Sequence, residues 1–84
     1  TRLRDLREDF KADYVLMVAE AYAGDGDLGQ AINRLEQLNP DNPLRAAQEG
    51  LLTAQKMGYQ DWEMRYLIDL EAAVRQWKAE GETP

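Results

Sequence analysis

The sequence contains no cysteine, no histidine and no serine in 84 residues, and threonine occurs only at Thr1, Thr53 and Thr83. Without these side chains there is no disulfide and no thiolate or imidazole metal ligand. There is also almost no nucleophile for acyl transfer. Carboxylate acid–base chemistry stays formally open, but no pair of carboxylates stands out. We therefore predict a domain that is not an enzyme and holds no cofactor or metal.

Excess positive charge is also missing. Ten Lys and Arg residues stand against sixteen Asp and Glu residues, a net charge of -6, and basic and acidic residues alternate near the start of the chain. Nucleic acids and anionic membranes both attract an uncompensated basic surface, so neither is expected as a partner. The apolar run 14–19 is far shorter than the roughly 20 residues of a membrane span, so we predict no direct insertion by this segment.

What is present is typical of a small globular domain. Hydrophobic residues make up 44% of the chain and charged residues 31%, which is too apolar for a disordered tail. The length predicts a single helical domain over 1–84. Because the chain begins at Thr1 without an initiator methionine, we expect it to be part of a longer protein.

Apolar residues recur at helical spacing throughout, and no strand pattern interrupts them. We predict an all-α fold of four antiparallel helices, at 2–23, 27–38, 43–57 and 61–79, arranged as two helical hairpins in a compact bundle. Helix starts are predicted at the capping residues Asp27 (with Gln30), Asn42 and Asp61, and helix ends at Gly24, Asn39-Pro40, Gly58 and Gly81. The apolar face of the fourth helix is predicted to be Leu67, Leu70, Val74 and Trp77.

Residues 12–45 resemble a tetratricopeptide repeat. The residues that carry the resemblance, in the register of that family's pattern of about 34 residues, are Ala19, Tyr22, Gly26, Leu28, Ala31, Leu35 and Pro43. Residues 46–79 match only as a degenerate second hairpin, since Ala54 and Leu70 fit after a shift of one residue. The resemblance implies a helical hairpin that binds protein.

The stretch from Tyr14 to Tyr22 is also similar to short bacterial proteins of unassigned function in which such a domain follows a single membrane anchor. That similarity implies that this segment is the soluble part of a membrane-anchored bacterial protein. It implies no activity.

Two alternatives to protein binding stay open. Asp25, Asp27, Gly29, Ile32 and Glu36 match a calcium-loop template that would supply oxygen ligands from several of these positions. The alternative prediction is therefore a calcium-binding helical module that uses the loop 25–36. Gly29 has no side-chain ligand, however, and the loop's turn glycine is replaced by Gln30. The other alternative is a non-catalytic domain of a larger enzyme.

The first helix is apolar around most of its circumference, which favours burial on more than one side. We predict that part of it is a contact surface for a protein partner or for a second copy, in a homo-oligomer such as a dimer. The candidate surface residues are Leu3, Leu6, Phe10, Tyr14, Val15, Val18 and Trp62. The predicted function is a protein-interaction or self-assembly module.

Overall fold

The computed structural model describes residues 7–82, and this part of the chain folds into four α-helices. The helices are α1 (Glu8–Asp25), α2 (Leu28–Leu35), α3 (Pro43–Met57) and α4 (Asp61–Glu82). No residue within 7–82 belongs to a β-strand. The predicted all-α class with four helices is confirmed.

Side-chain caps fix the starts of α2 and α3 where the sequence predicted them. The Asp27 carboxylate accepts from the backbone N–H of Gln30 at 3.0 Å, and the Asn42 side chain accepts from that of Arg45 at 3.0 Å. The backbone N–H of Asp27 donates to the Asp25 carboxylate at 2.8 Å, so Asp25 takes the place that a capping box would give to residue 30. Both caps satisfy amides that the first helical turn leaves without a partner.

Two helices run past the glycines predicted to end them. α1 continues beyond Gly24 to Asp25, and Gly26 is its C-cap. Gly26 has a φ of 68°, and its backbone N–H donates to the Tyr22 carbonyl at 2.7 Å. α4 passes through Gly81 to Glu82. A glycine permits a left-handed cap but does not impose one, and the cap forms where the following chain has to turn.

α2 ends at Leu35, earlier than the predicted residue 38. The next three residues continue as a turn, in which the Leu38 N–H donates to the Leu35 carbonyl at 3.0 Å. The Asn39 carbonyl then accepts from the Asn42 N–H at 3.2 Å across a turn with Pro40 in its second position, the place that proline favours. The helical hydrogen bonds of α2 thus stop before Pro40, and Leu38 stays buried in the turn that follows the helix.

The four helices pack as two antiparallel hairpins around one apolar core. Glu8 near the start of α1 faces Asn39 beyond the end of α2, and Gln48 of α3 donates to Glu71 of α4 at 3.3 Å. α1 contacts all three other helices. The core side chains are Val15, Val18, Ala19, Ala31, Ile32, Leu35, Leu38, Ala46, Ala47, Ala54, Leu67, Leu70 and Val74.

The predicted apolar face of α4 is correct for its first three members and wrong for Trp77. Leu67, Leu70 and Val74 are buried, whereas Trp77 is 43% exposed. α4 has 22 residues and α3 has 15. At about 1.5 Å per residue, α4 is therefore roughly 10 Å longer than its hairpin partner, and Trp77 lies on the longer helix near its end.

The two hairpins approach each other closely at Gly50. A Cβ atom placed on Gly50 would lie 2.8 Å from both Cβ and Cγ2 of Val15. The other residues of α3 that face the core include the alanines Ala46, Ala47 and Ala54, all buried. The small-residue stripe of α3 therefore lets α1 pack directly against its backbone.

The described part of the chain is one compact body. Its radius of gyration is 12.0 Å, and a compact chain of this size is expected to have about 12 Å. Within residues 7–82, no helix has the length and apolarity needed to cross a membrane.

We predict that Gly50→Ala destabilises the domain by about 1 to 3 kcal/mol despite alanine's higher helix propensity, because the added methyl overlaps the branched Val15 side chain. Gly24→Ala is the matched control, since Gly24 is also helical but has nothing within 4 Å of its Cβ position. It should be neutral or stabilising by up to about 1 kcal/mol. Urea unfolding measures both.

The overlap itself is tested by adding Val15→Ala to Gly50→Ala. The double variant should lose less stability than the sum of the two single losses, because Val15→Ala removes both Cγ atoms that the new methyl would overlap and leaves only the close contact with the Val15 Cβ. Strict additivity, or a Gly50→Ala variant as stable as the parent, would contradict the close packing.

Candidate functional site

The turn between α3 and α4 is fixed locally and directs Tyr59 towards α1. Gly58 has a φ of 77°, and its N–H donates to the Gln55 carbonyl at 3.3 Å while the Tyr59 N–H donates to the Ala54 carbonyl at 3.1 Å. This pair of bonds is the Schellman motif, which ends a helix and sets the direction of the next residue. The Tyr59 hydroxyl consequently donates to the Asp13 carboxylate on α1.

The start of α4 is capped by a residue that the sequence did not indicate. Asp61, the predicted cap, is the first helical residue. The backbone N–H of Gln60 donates to the Glu63 carboxylate at 2.9 Å, and the Gln60 carbonyl accepts from the Met64 N–H at 2.9 Å. The corrected cap is therefore Gln60, with Glu63 in the role that an acidic residue takes at the third helical position. The bond also holds the Glu63 carboxylate beside the turn.

The surroundings of the Tyr59 hydroxyl are strongly acidic. Burial raises the pKa of Tyr59 above the ordinary tyrosine value, and the hydrogen bond to Asp13 raises it further. The negative charges of Asp13, Glu63 and Asp9 act in the same direction. Ionising the tyrosine here would add a fourth negative charge to three carboxylates, so the neutral hydroxyl is favoured.

Two exposed aromatic residues are neighbours of these acidic residues in the sequence, Phe10 of Asp9 and Trp62 of Glu63. Phe10 is 49% exposed, and the Arg7 guanidinium lies 4.7 Å from its ring centroid. Trp62 is 58% exposed and meets Tyr66 edge-on, with ring centroids 6.3 Å apart. We name the surface formed by Asp9, Phe10, Asp13, Tyr59, Trp62 and Glu63 the α1–α4 face.

The structure divides the predicted contact residues into three groups. Phe10 and Trp62 are exposed, and Tyr14 is half-buried against the core. Val15 and Val18 are 1% and 0% exposed, so the prediction that they belong to a partner surface is corrected. Both are core residues, because α1 is covered by the three other helices and its apolar circumference is used inside the domain. Leu3 and Leu6 lie outside the described residues.

The sequence analysis missed Tyr59 and Asp13 as parts of this face. Tyr59 follows the helix-ending Gly58, which is the signal that its side chain leaves α3 in a new direction. Asp13 carried no signal, because it is one of many acidic residues and its partner lies 46 positions away. Only the packing of α1 against the second hairpin brings the two together.

The proposed calcium loop is a helix end, a tight turn and a helix in the structure. Asp25 belongs to α1, Gly29 and Ile32 belong to α2, and Glu36 is the residue that follows α2. The Asp25 and Asp27 carboxylates are used as caps. No group of three acidic side chains within residues 7–82 is placed to hold a metal ion.

The concave features are open, largely polar grooves. A groove of about 130 Å³ lies where the N-terminal part of α1 meets the α2–α3 connection, lined among others by Glu8, Lys11, Asn39 and Glu49. Its polar side chains are solvated, and Lys11 pairs with Glu8 at 3.7 Å. No polar or charged residue in the described part of the chain is buried. Small-ligand sites usually enclose the ligand among predominantly apolar side chains, whereas this groove is open to solvent and presents mainly polar groups beside Leu38 and Ala46.

Comparison with known proteins adds no relationship: no family model, curated protein or solved structure matches this chain.

We predict that Tyr59 remains protonated at about pH 10, where an ordinary tyrosine is half-ionised. NMR titration of ring-labelled tyrosine, assigned with Tyr59→Phe, measures this directly. Asp13→Asn keeps an acceptor for the hydroxyl but removes a charge, so it should lower the pKa of Tyr59 without restoring the ordinary value, because burial remains.

The raised pKa of Tyr59 also determines whether the free energy of unfolding rises or falls at high pH. Above about pH 10 the unfolded chain loses the Tyr59 proton before the folded chain does, so the free energy of unfolding should fall as pH rises. Tyr59→Phe should show a smaller fall over the same range. A Tyr59 midpoint at or below the ordinary value would contradict the contact with Asp13.

Proposed function

We propose that this domain is a protein-interaction or self-assembly module without catalytic activity. The observation that supports the proposal best is the exposure of large apolar side chains on a domain whose core is otherwise closed. Those side chains are Phe10, Met17, Leu52, Met57, Trp62, Ile68 and Trp77, each 43% to 58% exposed.

Two of these side chains stand out by their position. Phe10 and Trp62 lie on different helices, and the hydrogen bond from Tyr59 to Asp13 joins α1 to the turn that leads into α4. Aromatic residues are enriched at protein interfaces and contribute much of their binding energy. The α1–α4 face is therefore the part of the surface that we assign to the interaction.

The chemistry of the chain supports binding rather than catalysis. The sequence contains no histidine or cysteine, and the described residues include no buried charged group. Catalytic acids and bases usually lie in clefts, where burial and neighbouring charges shift their pKa values. The environment of Tyr59 raises its pKa and so stabilises the neutral hydroxyl, which is a poor base.

We expect the double variant Phe10→Asp/Trp62→Asp to lose association, because it places charges where apolar contacts form. The measurement is the molar mass by light scattering at several concentrations, together with capture of partners by the immobilised domain. Trp77→Asp is the matched control: it changes an exposed tryptophan of the same helix, remote along the chain from Trp62. Circular dichroism melting of all variants separates lost binding from lost folding.

If the domain is monomeric at every concentration and the double variant captures the same proteins as the parent, the proposed function is contradicted. Loss of association in the double variant but not in Trp77→Asp supports it. An equal loss of association in the double variant and in Trp77→Asp would mean that the interaction is not specific to the α1–α4 face.

A further inference from the structure

We propose that the α1–α4 face binds a basic amphipathic segment of another protein, in which Lys or Arg side chains lie between apolar ones. This inference rests on the proposed function and names the class of partner. It follows from which groups on the face are apolar, which are charged, and which of those charges already have a partner.

Within residues 7–82, the negative charge of the face is only partly compensated. Asp13 accepts from the Tyr59 hydroxyl and Glu63 accepts from the backbone N–H of Gln60, so both carboxylates lie at the turn that carries Tyr59, and the charge of Asp9 also acts on the hydroxyl. One basic residue, Arg7, pairs with a carboxylate of the face: its Nε lies 3.5 Å from the Asp9 carboxylate. Within residues 7–82, no Lys or Arg pairs with Asp13 or Glu63. A cationic side chain from a partner would find both carboxylates available for an ion pair.

Each of the two helices contributes an exposed aromatic residue and a carboxylate to the face. Phe10 lies about one helical turn before Asp13 on α1, and Trp62 directly precedes Glu63 on α4. Residues three apart on a helix share a side, so Phe10 points to the same side of α1 as Asp13. The face therefore combines two largely exposed aromatic rings with carboxylates. A partner segment in which basic residues lie between apolar ones matches this combination of groups.

Charge also distinguishes this partner from a second copy of the chain. A two-fold dimer through this face would bring the same carboxylates of both copies together, because an isologous interface pairs a surface with itself. The whole chain carries a net charge of -6, so long-range repulsion acts in the same direction. A basic segment is attracted by the charges that repel a second copy.

Isothermal titration with a synthetic peptide of about 15 residues, built from Leu and Lys at amphipathic helical spacing, tests the proposal. A second peptide with Glu at every Lys position is the control for apolar attraction alone. We expect the Lys peptide to bind and the Glu peptide not to bind. Raising the salt from about 50 to about 500 mM should weaken binding by about tenfold or more, because salt screens exposed charges.

Generic attraction to an acidic protein is separated from binding at this face by two pairs of variants. Trp62→Ala should weaken binding by about tenfold, the loss typical of a central aromatic contact, whereas Trp77→Ala should not. Asp13→Asn/Glu63→Gln keeps both hydrogen-bond acceptors and removes two charges, so it should also weaken binding. Asp41→Asn/Asp69→Asn removes two exposed charges elsewhere and should have little effect.

Equal effects of the two charge pairs, or equal effects of the two tryptophan variants, would overturn the proposed partner class at this face. Preference for the Glu peptide, or a stable dimer that Trp62→Ala disrupts, would also overturn it while leaving the proposed function intact. If no peptide binds, no self-association occurs and no partner depends on Phe10 or Trp62, both proposals fail.

Discussion

The packing of Val15 against the backbone of Gly50 is the constraint on which the rest of the structure depends. A side chain at residue 50 would overlap Val15, since even a Cβ atom would approach to 2.8 Å. This contact sets how closely α1 meets the second hairpin. Close packing places Val15 and Val18 in the core and brings Asp13 within reach of the Tyr59 hydroxyl. The surface that we assign to binding thus follows from a contact inside the domain.

The core is apolar and the charged groups lie at the surface, and this distribution is one reason for our proposal that the domain binds another protein. The core of the described residues is entirely apolar, with no buried polar or charged side chain. The Arg7–Asp9 and Arg45–Glu49 ion pairs are exposed, and exposed pairs of this kind typically contribute less than about 1 kcal/mol each. Apolar burial holds the fold together, and the polar groups near Tyr59 lie at the surface, where Asp13 and Glu63 accept hydrogen bonds.

The helices were predicted well from the sequence because the signals that define a helix, its capping residues and its apolar spacing, lie within or next to the helix itself. Asp27 and Asn42 accept the amides that their positions predicted, and apolar spacing identified Leu35 and Leu70 as core residues. The candidate surface was predicted less well. Val15 looked available because the sequence does not say how many helices cover α1. The missing information was the packing between hairpins, which joins residues far apart in the chain. The tetratricopeptide resemblance stays a prediction.

The central claim is that function lies on the α1–α4 face and not in the groove beside Lys11 or at the end of α4. Mapping amide chemical shifts while the Leu/Lys peptide is added to the labelled domain tests it most directly. The account predicts the largest changes within residues 9–17 and 59–66, at the two helix segments that carry this face. Changes centred on residues 38–50, or around Trp77, would contradict it.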